Sequence, residues 1–182
     1  VSTEWRLQTK IEVAPGIHWF RLTLPFQLNH VNLYLVADDH GYVLIDTGLG
    51  NRRTLDMWGK LLAGALKPYP ISRIVVTHFH LDHAGGVWRI AERFPNATVW
   101  VHERGARHLA DPTRLLASVT SIYGAETMTS LFGPVEPVAA QRIRALGDGD
   151  LIELGRRHLE TISTPGHAKH HVALVDSATG AV

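Results

Sequence analysis

Two packed β-sheets with helices on the outside, an α/β class of fold, is what this sequence predicts, on three observations. Strand-like runs fill both ends of the chain, a helical stretch occupies the middle, and a strand-helix-strand unit lies between Ile74 and Val101. At 182 residues the chain is long enough for one domain with a sizeable core, and no linker or internal repeat divides it. We therefore read residues 1–182 as a single domain.

The elements follow in order. Ile17-His18-Trp19-Phe20-Arg21-Leu22, Val31 to Val36 and Tyr42-Val43-Leu44-Ile45 read as strands, with Asp38-Asp39-His40-Gly41 as the turn between the last two, which predicts an antiparallel opening. Asn51 is placed to cap a helix running to about Leu66, because Leu55, Trp58, Leu62 and Leu66 recur on one face. Lys67-Pro68-Tyr69-Pro70 ends it. Ile74-Val75-Val76 is a short buried strand, Ala84 to Phe94 a helix, and Thr98-Val99-Trp100-Val101 the next strand. Residues 103–133 form a helical insertion, irregular at Asp111-Pro112 and Gly124 and closed by Gly133-Pro134, with the character of a lid. Strands return at Ile143 to Leu146, Leu151 to Leu154, Leu159 to Ile162 and Val172 to Val175, and Ser177-Ala178-Thr179-Gly180 forms a turn that should launch one more.

Composition narrows the function classes. The 18 Lys+Arg nearly balance 17 Asp+Glu, so there is no charge excess of the kind that draws a domain onto nucleic acid or an anionic membrane. Small-molecule substrates are the expected partners, and a homo-oligomer is compatible with the composition. No stretch approaches the roughly 18 uninterrupted apolar residues of a membrane span, and the Val1 to Trp5 start lacks the pattern of a signal peptide. The expectation is a cytoplasmic protein. With no cysteine, any metal must sit on nitrogen and oxygen donors, which turns attention to the 12 histidines.

Thr77-His78-Phe79-His80-Leu81-Asp82-His83-Ala84-Gly85-Gly86 lies where the 74–76 strand gives way to the next helix. In an extended segment residues two apart face the same side, so His78 and His80 can grip one ion together, with Asp82 and His83 a turn later. Asp82 is also placed to cap the helix, and the paired glycines allow it a close approach to the sheet. Three imidazoles and a carboxylate within six positions are more ligands than one tetrahedral ion with an open position uses, which predicts two metals. Thr164-Pro165-Gly166-His167, a tight turn after an apolar strand, would deliver His167 from a distant part of the chain.

On these residues the chain resembles the metallo-β-lactamase superfamily, whose signature His-x-His-x-Asp-His is matched by His78, His80, Asp82 and His83. The family's Asp-Thr-Gly after an early strand is matched by Asp46-Thr47-Gly48, and its Pro-Gly-His by His167, so that the likeness runs from about Val13 to the end. It implies an αββα sandwich with the site along one edge of the sheets. It implies that His78, His80 and His167 hold a first metal, that Asp82 and His83 belong to a second, and that Asp46 supports the ligands from outside. Zinc is the implied metal, two ions per complete domain, with iron or manganese as alternatives. The family's later Gly-Asp strand end and last histidine have no counterpart, and Asp176 lies too early to be that aspartate, so the expectation is that the C-terminal part of the family domain is missing.

The function implied is a metal-dependent hydrolase in which an activated hydroxide, oriented by Asp82, attacks a lactone, thioester, ester or lactam. Two alternatives stay open: a mononuclear iron enzyme of the sulfur-dioxygenase kind, and a non-catalytic metal-binding domain. Other candidates read less sharply. His170 and His171 suit a supporting role near His167; His102 and His108 flank the insertion on helix faces; the 24–30 loop is suited equally to covering the site and to edge packing. Arg52-Arg53, Arg142 with Arg144, and Arg156-Arg157 read as surface pairs, and Trp58 and Trp88 as core. The substrate-binding residues are not legible, since fold alone does not choose a substrate.

Overall fold

The computed structural model describes residues 11–25, 27, 29–39 and 41–182. Its strands are β1 (Ile11–Ala14), β2 (Ile17–Thr23), β3 (His30–Asp38), β4 (Gly41–Ile45), β5 (Ile71–Val76), β6 (Thr98–His102), β7 (Ile143–Leu146), β8 (Leu151–Glu153), β9 (His158–Ser163) and β10 (Val172–Asp176). They form a seven-stranded sheet in the order β1-β2-β3-β4-β5-β6-β7 and a three-stranded sheet in the order β10-β9-β8. The pairs from β1 to β4 are antiparallel and those from β4 to β7 parallel. This is the mixed α/β architecture of two sheets with helices that the pattern predicts. The 143–146 run closes the first sheet beside β6. A helical connection separates β6 from β7, and a parallel partner needs such a crossover.

Side-chain alternation divides the core in two. Along β5, Ile74 and Val76 pack with the helices Trp58, Leu61 and Ile90 belong to, while Val75 between them packs with Leu146, Ile152, Leu159 and Leu174 in the seam between the sheets. Along β4, Val43 faces the seam and Leu44 the helices. Both faces of these strands are therefore covered, which is why they read as continuous apolar runs. Each fully buried Leu or Val contributes about 1.5–3 kcal/mol of transfer free energy.

The helices adjust the expected boundaries. In α1 (Arg52–Ala63), the Asn51 side chain accepts a hydrogen bond from Thr54 N as expected of a cap, but the helix stops at Gly64, before Leu66, which stays buried. The expected helix from Ala84 starts earlier and is split into α2 (Leu81–Ala84) and α3 (Val87–Arg93) by Gly85 and Gly86. The split follows from a close backbone approach: Gly86 N donates to Gly48 O (2.9 Å), and a Cβ on Gly85 would stand 2.8 Å from Gly50 N. The glycines thus meet the 47–50 loop, not the sheet. Asp82 does not cap this helix; His80 occupies the cap position without a side-chain bond, and Asp82 lies in the first turn.

Residues 103–133 hold α4 (Glu103–Ala110), α5 (Thr113–Tyr123), a helical turn Ala125–Thr127 and a π-turn Met128–Phe132, broken where Asp111-Pro112 and Gly124 predict. No residue of α5 is buried, although Leu115, Leu116 and Val119 pack partly on the core. Trp58 is core, donating its indole N–H to Thr47 O (2.8 Å), whereas Trp88 is only half-buried beneath Arg89. Among the described residues no helix is long and apolar enough to cross a membrane.

Candidate metal centre

The parallel strands β4 and β5 end side by side, and the chain leaving each supplies one half of the site. Beyond β4, Asp46 is buried and takes a left-handed backbone conformation, φ 61°, while Asp46 N donates to Val75 O (2.9 Å). Aspartate tolerates that conformation better than most side chains. Its carboxylate accepts from Thr77 N (2.8 Å), from the Thr77 hydroxyl (2.8 Å) and from His83 Nδ1 (2.7 Å). Held this way, His83 carries its proton on Nδ1 and turns Nε2 away, toward Asp82 Oδ2 at 3.6 Å.

Beyond β5, Thr77 begins the segment that carries His78 and His80, whose ring centroids lie 4.7 Å apart. His78 Nδ1 is 3.1 Å from the Thr77 hydroxyl, and its Nε2 is buried with no hydrogen-bond partner. His167 arrives from the turn between β9 and β10, placing its Nε2 3.2 Å from His80 Nδ1. That turn is tied to the first sheet by Val172 N donating to Thr77 O (2.9 Å) and is closed by Thr164 N on His171 O (3.0 Å). Two groups of ligand atoms result, each within 4.8 Å of one another: His78, His80 and His167, and His78, Asp82 and His83. The five residues singled out as ligands, and Asp46, are thus brought to one place.

The electrostatics suit a cation. Burial, followed by the neighbouring imidazoles led by His83, lowers the His78 pKa to about 2. Burial and His167 also lower that of His80, against the opposing pull of Asp82. Burial draws His83 down too, but its hydrogen bond and charge interaction with Asp46 outweigh this, and its pKa is raised. His78 and His80 are therefore neutral near pH 7 and keep their lone pairs. A buried imidazole nitrogen without a partner, facing other nitrogen donors, is costly unless something binds it. A divalent metal fits these residues.

Around this set lie residues that the sequence left vague. His170 belongs to neither ligand group; its ring stacks on Phe79 (3.6 Å between centroids, 17° between planes). Phe79 also meets His108 at 4.8 Å. His171 is hydrogen-bonded to the Thr164 hydroxyl (2.7 Å), and His102 Nδ1 accepts from Arg104 N to cap α4. The part played by Thr77 went unread, although a polar residue between a buried strand and the first ligand is a local signal. Phe26 and Leu28 of the 24–30 loop fall outside the described residues, so its place over the site does too. Arg142 is no substrate handle: its guanidinium donates to the carbonyls of Ala91, Phe94 and Ala97 around the end of α3.

Comparison with known proteins places the chain among relatives of one kind. The family described as the metallo-beta-lactamase superfamily matches residues 27–182. The acyl-coenzyme A thioesterase MBLAC2 of Bos taurus is 31% identical over 96% of this chain and 63% of its own length. The hydroxyacylglutathione hydrolase of Buchnera aphidicola is 27% identical over 76% of this chain and 40% of its own. Among solved structures, a beta-lactamase domain protein from Burkholderia ambifaria superposes with a TM-score of 0.71 at 29% identity, covering 93% of this chain and 51% of that one. The chain therefore spans less than two thirds of the length of these relatives.

Proposed function

The chain belongs to the metallo-β-lactamase superfamily, and on that premise we propose that it is a metal-dependent hydrolase of ester-like bonds in small molecules, with thioesters as its substrate class. The observation that carries this reading is the pair of ligand groups sharing His78, built from nitrogen and carboxylate donors with one imidazole nitrogen buried and unpartnered. The thioester preference is supported by two relatives, one named an acyl-coenzyme A thioesterase and one a hydroxyacylglutathione hydrolase.

In this reading His78, His80 and His167 hold one ion and Asp82 with His83 a second, zinc being the first choice for an all-nitrogen-and-oxygen set. A bound divalent ion supplies acidified water, its pKa brought toward about 7, and a Lewis acid for the substrate carbonyl. The protein's own groups do the rest. Asp82, half-exposed, accepts a hydrogen bond from the attacking water and aims it. Asp46 fixes the His83 ring from behind, so that Nε2 stays presented. Segment 103–133 covers the site as a lid from the Phe79 side, where Gly105 of α4 meets the Phe79 ring.

Replacing His80 with alanine in the metal-loaded protein is expected to remove one equivalent of metal, read by elemental analysis, and to abolish thioesterase turnover. Undiminished turnover in that variant would end the reading. Stoichiometric iron accompanied by oxygen uptake in the wild type would replace hydrolysis with the oxygenase alternative.

A further inference from the structure

Several arginines of this chain are committed. Arg73 pairs with Asp38, Arg157 with Asp176, Arg89 with Glu92 and Arg52 with Asp56, while Arg142 is occupied by helix carbonyls. Arg107 near the end of α4 and Arg114 at the start of α5 are not, and they lie toward the metal centre. Both are exposed, and among the described residues neither has a carboxylate within ion-pair distance. Glu103, one turn before Arg107, does not reach it, and Asp111 between the two helices accepts from Thr113 N (3.1 Å) while its charge acts on Arg114 without forming an ion pair.

Their position beside the metal centre is given by a row of rings. From His80 to Phe79 the centroids are 6.5 Å apart, and from Phe79 to His108 4.8 Å. Arg107 Nε then lies 3.4 Å from His108 Nε2. Arg114 opens α5 just beyond the Asp111-Pro112 break that joins it to α4, and its charge acts with that of Arg107 to lower the His108 pKa after burial, against the opposing pull of Asp111. Two rings thus separate the ligand His80 from a doubly cationic patch at the junction of two helices.

Guanidinium groups are planar forks matched to phosphate oxygens, and two of them outside any ion pair keep an attraction for a multiply charged anion. A thioester reacts at its sulfur end, while the charge of a nucleotide-bearing thiol carrier sits at the far end of an extended arm. A reactive centre and an anion handle two rings apart suit that layout better than they suit a short carrier whose charges adjoin the thiol.

We propose that Arg107 and Arg114 bind the phosphates of the substrate's carrier, and that the substrate class is an acyl thioester of a phosphorylated, nucleotide-bearing thiol of the coenzyme A type. The proposal rests on the thioesterase reading for its reaction, though not for its binding step. The arginines touch no reacting atom; they set affinity and choice of carrier.

The test combines a binding measurement with a kinetic one on the metal-loaded full chain. Adenosine 3′,5′-bisphosphate, which has the charges and no thioester, is titrated calorimetrically into wild type, the Arg107→Gln/Arg114→Gln double variant, and Arg53→Gln as an exposed control on α1. Binding is expected to weaken about tenfold or more in the double variant, to weaken in wild type as salt rises, and to be unchanged by Arg53→Gln. In turnover, the double variant should raise KM for an acyl-coenzyme A about tenfold with kcat nearly unchanged, and leave KM for the N-acetylcysteamine thioester of the same acyl group as it was.

Equal KM changes for the two thioesters, or bisphosphate binding that ignores both arginines, would overturn the proposal. If wild type hydrolyses neither thioester yet loses bisphosphate binding in the double variant, the thioesterase reading fails and the phosphate handle stands. Failure of wild type to bind the bisphosphate at all overturns the handle whatever the turnover.

Discussion

Asp46 shows how much of the candidate metal centre is built before any ligand is counted. Its carboxylate joins the ends of two strands through Thr77 and fixes the ring of His83, at the cost of a backbone conformation that non-glycine residues seldom adopt. Asp46→Ala is expected to weaken metal binding by about 10–100-fold, measured by competition with a chromogenic chelator, because His83 would lose its fixed tautomer and orientation. An unchanged metal affinity would show that His83 needs no such support. This residue was legible only as a match to a family pattern, since an aspartate ending a strand has many ordinary uses. The candidate ligands His78, His80, Asp82 and His83 were legible from spacing, because four ligand-type side chains within six positions of one loop seldom serve packing or solvation alone. Their electrostatics carry a further expectation. His78 has a folded pKa near 2 against 6.5 in the unfolded chain, so between those values the unfolded state binds the extra proton. The metal-free protein should lose stability as pH falls below about 6.5, and His78→Gln should flatten that slope in chemical unfolding between pH 7 and 5. The raised pKa of His83 works the other way, adding stability below 6.5 that is lost as pH rises through its folded value.

At the level of elements, the end of the helical segment is pinned to the arm that leaves β4. Asn51 serves both: its Oδ1 accepts from Thr54 N (2.9 Å) to cap α1, and its Nδ2 donates to Leu131 O (2.6 Å). Gly133, at φ +77°, lies so close that a Cβ there would stand 2.5 Å from Asn51 Cα. Asn51→Ala should cost about 1–2 kcal/mol in urea unfolding, as the cap and the tie are lost together. Gly133→Ala should cost about 2 kcal/mol or more, through both the clash and the left-handed backbone. The helices themselves were legible, down to the breaks at Asp111-Pro112 and Gly124, because proline and glycine act locally. The α2–α3 break at Gly85 and Gly86 was not, because it depends on the 47–50 loop, which local sequence does not place against it.

Across the whole molecule, the strands could be read from their apolar patterns, while their partners could not. Ile143 to Leu146 resembles the strands that follow it, yet it pairs with β6 and contributes Leu146 to the seam shared with β8 and β9. Which neighbour a strand chooses is settled by packing and crossover geometry, neither of which its own residues display. The seam decides one more property. His80 and His167 lie 87 residues apart in sequence and meet across it. An ion gripping both closes that length of chain into a ring, as a disulfide would, and removes loop entropy from the unfolded ensemble worth on the order of 4–5 kcal/mol if the grip survives unfolding. If instead unfolding releases the ion, its binding free energy counts wholly toward the native state. In either case a strong chelator should lower the melting temperature in calorimetry, and His167→Ala, which opens the ring, should make the protein markedly less sensitive to it. For a chain with no cysteine, this ion would be its one covalent-like staple.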